Sequence, residues 1–178
     1  MKKLCLAAFF LAGATIAQSV GAKEYYKGFN ESAYSDDKGC HLFSTTTLEG
    51  TKHSSKFSVR SDGSFLVGFL TPNAPPIARG EAQMHSVHLA FLDAEGELIG
   101  GAEEYQAKLF APSSGDRFLW TIHFDATQQA AVLRKLAKAS IYGIIFGEDL
   151  VAVGRPDNAA KMVEQMRACT AEEGWRNP

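Results

Sequence analysis

The chain has 178 residues, 18 of them Lys or Arg and 20 Asp or Glu, for a formal net charge of −2 at pH 7. A mildly acidic balance with no basic run argues against nucleic acid or an anionic membrane surface as partner. The length suits one domain with a real core.

Residues 1–22 read as a cleaved export signal. Lys2 and Lys3 form a positive start, Leu4 to Ile16 is an apolar run, and Val20-Gly21-Ala22 offers small residues at a cleavage site. The apolar run is shorter than the roughly 18 residues a spanning helix needs, and no later stretch is long enough either. Cys5 lies within the removed segment. Losing the two lysines takes the formal charge from −2 to −4 and leaves a single domain, residues 23–178, expected in the periplasm.

Export gives the cysteines their meaning. Cys40 and Cys169 alone survive processing, an even count in an oxidising compartment, so a Cys40–Cys169 disulfide is expected. The competing reading, Cys40 as a nucleophile beside His41 as its base, fails because neighbours in a strand point to opposite faces.

Residues 23–40 read as a loose, extended entry carrying Tyr25, Tyr26, Phe29 and Tyr34, with a polar turn at Ser35 to Gly39. His41 to Leu48 has strand composition. Phe57 to Arg60 and Phe65 to Leu70 flank Asp62-Gly63, a two-residue hairpin signal that predicts Val59 opposite Leu66. On that register Phe57, Val59, Leu66 and Leu70 share one face. Phe65, Val67 and Phe69 take the other, and a strand apolar on both faces should be covered on both.

Thr71 to Ala82 contains Pro72, Pro75, Pro76 and Arg79. The prolines fix φ and remove backbone donors, so the segment is a stiff connector or a recognition loop in which Pro75, Pro76 and Arg79 meet a partner. Met84 to Leu92 and Leu98 to Phe110 predict a second hairpin about Asp93 to Glu97, with Val87, Leu89 and Phe91 inward and a bend at Gly100-Gly101. Arg117 to Phe124 alternates Phe118, Trp120, Ile122 and Phe124 against Arg117, Thr121 and His123.

The last third carries the helices. Thr127 to Ala139 places Ala130, Leu133, Leu136 and Ala137 on one stripe, with Val132 at its edge. Two strands follow, Ile141 to Phe146 and Leu150 to Val153, about a turn at Gly147 to Asp149. Asp157 is the expected N-cap of a final helix whose core stripe is Met162, Val163, Met166 and Cys169. Trp175 falls in a polar tail.

Motifs for chemistry are sparse. His85 and His88 are spaced to opposite faces of a strand, and His88 with His123 across neighbouring strands would give two ligands, too few for a zinc site, so no metal is assigned. No nucleophile elbow, phosphate loop or dinucleotide fingerprint occurs, so no catalytic residue and no cofactor is assigned.

The block Ala131-Val-Leu-Arg-Lys-Leu-Ala, Ile141-Tyr-Gly-Ile-Ile and Ala159 to Cys169 resembles the ending of small exported Gram-negative envelope proteins of the invasion-associated locus B type. That resemblance covers about a quarter of the chain and implies a compact envelope protein that binds something, without transferable site residues.

The expectation is thus one α+β domain, a mainly antiparallel sheet of about seven or eight strands with two C-terminal helices. Its expected role is to bind a protein in the periplasm, as an inhibitor or immunity protein that neutralises an envelope-directed enzyme. A periplasmic hydrolase and a structural or stress-related envelope factor are the alternatives.

Overall fold

A computed structural model describes residues 22–174; residues 1–21 of the expected export signal, and Trp175, lie outside them. Twelve elements follow in chain order: β1 (Lys23–Lys27), β2 (Glu31–Asp36), β3 (Gly39–Leu48), β4 (Thr51–Arg60), β5 (Phe65–Thr71), β6 (Ala82–Leu92), β7 (Glu103–Phe110), β8 (Phe118–Phe124), α1 (Ala126–Leu136), β9 (Ile141–Phe146), β10 (Asp149–Gly154) and α2 (Ala159–Glu172). The strands form one antiparallel sheet in the order β1-β2-β3-β4-β5-β8-β7-β6-β9-β10. The class is α+β, as expected, with ten strands instead of about seven or eight. Residues 23–40, expected as a loose entry, supply two of the additional strands; Tyr25 and Tyr26 pack on the core from β1.

Turn chemistry explains the meander. Glu49 (φ 50°) and Gly50 (φ 77°) are both left-handed, and Leu48 pairs with Thr51, so β3 and β4 join through a two-residue turn of the type that matches strand twist. Between β4 and β5 the loop is one residue longer than expected. The Arg60 N–H donates to the Ser64 carbonyl, Gly63 takes φ 82°, and Val59 pairs with Phe65 rather than Leu66. A one-residue slip inverts every side chain in a strand. Phe57, Val59, Phe65, Val67 and Phe69 therefore face the core, while Leu66 and Leu70 turn to the opposite side.

The sheet curls around its own core face, so that β10 packs against β3, β4 and β5 while α2 lies on β1, β2 and β3. Trp120, Phe57, Phe65, Phe69, Phe91 and Tyr142 fill the interior together with the helix stripes. Asp125 caps α1 through a capping box with Gln128. The buried face of α1 is Gln129, Val132, Leu133 and Leu136, which moves Val132 from the edge of the expected stripe to its centre and leaves Ala130 half-buried. On α2 the stripe Met162, Val163, Met166, Cys169 is buried as expected, but Asn158, not Asp157, is the N-cap. The Asp157 N–H instead points at Glu31, a buried carboxylate that also accepts from the Asn158 N–H and the Tyr26 hydroxyl. A negative charge held at a helix N-terminus is favourable, which ties α2 to β2.

Two further cross-ties close the curl. The Cys40 and Cys169 sulfurs lie at bonding distance, with Cα atoms 6.0 Å apart across a sequence separation of 129. The Tyr142 hydroxyl, on β9, meets Ser55 Oγ at 2.6 Å and Ser44 Oγ at 3.1 Å on the far side of the core.

Two outcomes check the core. Trp120→Ala should cost about 3–5 kcal/mol, as truncations of buried aromatics do, measured by denaturant unfolding; an unchanged midpoint would contradict the packing. Replacing both cysteines by serine should lower stability by about 2–5 kcal/mol, because the bond would close a loop of nearly the whole domain. Two free thiols in the unfolded, unreduced wild-type protein would contradict the pairing.

Candidate functional site

Because both helices lie on the core face, the other face of β3, β4, β5 and β8 stays open. Register fixes what it presents. His41, Ser58, Leu66 and His123 form one row across the four strands. Phe43, Lys56, Gly68 and Thr121 form the next, followed by Thr45, Ser54, Leu70 and Leu119. Lys52 and Arg117 stand beyond the third row, and Lys38 and Arg60 beyond the first. Together these residues line a half-open groove of about 550 Å³.

The groove has an apolar floor and a cationic rim. Lys56 and Thr121 flank Gly68 across the strands, Leu66 and Leu70 flank it along β5, and Leu119 lies beside it; Gly68 has no side chain to fill the middle. A Cβ at Gly68 would meet Leu119 Cδ1 at 3.7 Å and the Trp120 carbonyl at 3.8 Å, ordinary contact distances. Five cations, Lys38, Lys52, Lys56, Arg60 and Arg117, line the groove; among the described residues no Asp or Glu lines it directly, and Asp36 stands behind His41. None of Lys38, Lys52, Arg60 and Arg117 is in a salt bridge among the described residues. Lys56 is partly committed: its ammonium lies 5.4 Å from the Tyr34 ring centroid. Burial pushes its pKa down, helped by Lys38 and Arg60 and opposed by Asp36.

A polar relay forms one wall. Asp36 Oδ1 and His41 Nε2 are 2.9 Å apart, and His41 Nδ1 and Ser58 Oγ are 2.9 Å apart. With Nε2–H donating to the carboxylate, Nδ1 is left to accept the Ser58 hydroxyl proton. Burial pushes the His41 pKa down against the Asp36 hydrogen bond, and Lys56 and Arg60 push the same way. Burial would raise the Asp36 carboxyl, but the hydrogen bonds from His41 and the Lys38 N–H hold it below its usual range. A neutral imidazole held between a carboxylate and a hydroxyl is the arrangement that raises a serine's nucleophilicity. Here both His41 and Ser58 are buried, and the same contacts also satisfy two polar groups in the wall.

No protein family matches the chain, and neither curated proteins nor solved structures include one similar to it at a significant level. The geometry alone carries the functional reading.

Of the residues singled out from the sequence, His41 and His123 line the groove and the others fall elsewhere. Pro75, Pro76 and Arg79 lie in the connector between β5 and β6, at the end of the sheet where Arg117 stands. Arg79 is exposed, and its guanidinium stacks 4.8 Å from the Phe118 ring centroid. Pro72 and Pro75 line a separate hollow with Phe146 and Leu150. His88 and His123 do not meet: β7 separates their strands, and His88 pairs with Glu104. No cluster of three or more metal-ligating side chains occurs among the described residues. Sequence reasoning missed the groove because its cations are spaced four residues apart along β4 (Lys52, Lys56, Arg60) and joined only in the fold by Lys38 and Arg117. The net charge averages them away against carboxylates elsewhere on the chain.

The relay predicts a pH dependence of stability. His41 has a lowered pKa in the fold and about 6.5 when unfolded, so below that value the unfolded chain takes up protons that the folded one resists. Stability should therefore be full above about pH 7 and fall as the pH drops towards 5. His53, also lowered by burial and by Arg117, adds to the same slope. His41→Gln should flatten the slope in chemical denaturation at pH 5, 6 and 7; an unchanged slope would contradict the assignment.

Proposed function

We propose that the protein is an exported binding module that takes an acidic segment of a protein partner into the groove. It acts in the periplasm as an inhibitor or immunity protein that neutralises an envelope-directed enzyme. The observation that carries this reading is the pairing of five cations with an apolar floor of Leu66, Gly68, Leu70 and Leu119 in one groove. Cations on an exposed face repel one another, and an acidic partner relieves that repulsion and is steered towards it. The apolar floor supplies affinity once water is displaced. The export signal, the paired cysteines and the absence, among the described residues, of any helix able to cross a membrane are compatible with this role.

A second reading draws on the relay. As a hydrolase, the protein would use Ser58 Oγ as nucleophile, His41 Nδ1 as base and Asp36 to orient the ring, on an ester carrying negative charge. Turnover of p-nitrophenyl esters that vanishes in Ser58→Ala supports it; no turnover, or turnover untouched by the substitution, removes it.

The binding reading is tested with immobilised mature protein in envelope extract at low salt, beside a Lys52→Glu/Arg117→Glu variant. A stoichiometric partner should be retained by the wild type and weakened about tenfold or more by the double reversal, since rim charges set encounter and register. Equal retention by both proteins would contradict the groove as the site.

A further inference from the structure

Building on the groove as the partner site, we infer that its occupant is an extended acidic peptide segment with one large apolar side chain at its centre. That side chain enters the hole over Gly68, and carboxylates on either side of it reach the two ends of the groove.

Three observations point to this occupant. First, four of the five cations sit at the two ends, and the half-buried Lys56 stands in the middle row beside Gly68. Lys52 with Arg117 marks one end and Lys38 with Arg60 the other. On β4, Lys52 and Arg60 are eight residues apart, about 26 Å at the rise of a strand. An extended segment of about eight or nine residues spans that distance. A single-headed amphiphile, such as a fatty acid or one lipid, would neutralise one end and leave the other set of cations unpaired. Second, Leu66 on one side and Leu70 with Leu119 on the other bracket Gly68, which leaves room between them for one side chain. Its backbone carries no left-handed φ, and an added Cβ meets only ordinary contacts, so the opening is a shape rather than a turn requirement. One anchor in a pocket ringed by polar groups is how small interfaces concentrate their affinity. Third, Thr45 and Ser54 stand in the row before Lys52, and Thr121 flanks Gly68. Their hydroxyls can bond the peptide groups of an extended chain, which an acyl chain would not use.

The probe is the nine-residue peptide acetyl-Glu-Asp-Ala-Ala-Phe-Ala-Ala-Asp-Glu-amide, fluorescently labelled and titrated at low salt. Control arms carry Ala for Phe or Lys for the four acids, and further arms use phosphatidylglycerol vesicles and oligo-dT. The expected result is saturable one-to-one binding, weakened about tenfold or more by removing the Phe ring, the effect of losing one buried large side chain. The lysine peptide should not bind, and added salt should weaken the complex. Gly68→Leu should lose at least about tenfold while its melting temperature stays within a few degrees of wild type. Should Gly68→Leu fail to fold, Lys52→Glu at an exposed position replaces it, with the same loss expected.

Equal affinity for the Phe and Ala peptides, or tighter binding of the vesicles or oligo-dT than of the peptide, would overturn the inference. The two proposals fail differently. If the extract's partner is released by Lys52→Glu/Arg117→Glu but not by Gly68→Leu, the groove stands as the site and the central anchor is wrong. If neither change releases it, the groove reading itself falls.

Discussion

A single sheet has two faces, and the two helices of this chain cover only one of them. The sheet curls so that its core face wraps α1, α2 and its own strand β10, which buries Trp120, Phe57, Phe69 and Tyr142 completely. Among the described residues no element covers the far side of β3, β4, β5 and β8. β5 feels this most sharply, because it is apolar on both faces. Phe65, Val67 and Phe69 go to the core, and Leu66 and Leu70 are left to floor a groove. The cationic rim above that floor keeps the face hydrated and discourages pairing of two copies through it, since like charges would meet. The open face is therefore a consequence of how the core is completed, and its chemistry suits an acidic visitor.

Curling a ten-strand sheet this far places strands distant in sequence against one another, and three cross-ties hold the arrangement. Cys40 and Cys169 join β3 to the last helix. Glu31 is buried on β2 at the start of the same helix, where the helix dipole and two amide donors repay the cost of removing its charge from water. Tyr142 crosses the core from β9 to the hydroxyls of Ser44 and Ser55. A buried phenol must find a partner, and these two serines make the crossing specific. Each tie involves β2, β3 or β4, the side of the sheet that also carries Lys38, Lys52, Lys56 and Arg60. The groove's cationic wall is thus braced by all three ties, and a braced surface loses little entropy on binding.

Much of the fold was legible in the sequence because it rests on strong local periods. The α2 stripe, the alternation of Phe118 to Phe124, the bend at Gly100 and Gly101 and the inward direction of Cys169 all follow from one element at a time. What escaped depended on particular residues acting across elements. Tyr25, Tyr26 and Tyr34 show no clean period, because a register shift between Glu24 and Tyr26 lets both neighbouring tyrosines pack on the core while Tyr34 lies against His41 and Lys56, so two strands read as loose chain. At the β4–β5 turn, Asp62-Gly63 pointed to a two-residue loop, whereas Asp62 Oδ1 takes the Ser64 N–H and hydroxyl and the loop closes one residue wider. That single residue sends Leu66 and Leu70 to the groove. The site was illegible for the same reason: Gly68, Lys56 and Thr121 become neighbours only once two strand registers are known.

The central claim is that the face of β3, β4, β5 and β8 opposite the helices is open and electropositive. The most direct measurement is amide relaxation enhancement by two soluble gadolinium chelates of similar size, one anionic and one neutral, on isotope-labelled protein at low salt. The account predicts that the anionic chelate broadens amides of residues 66–70 and 119–123 more strongly than the neutral one, with the excess fading as salt screens the rim charges. Equal broadening by both chelates along these strands, or protection of these amides from both, would contradict it.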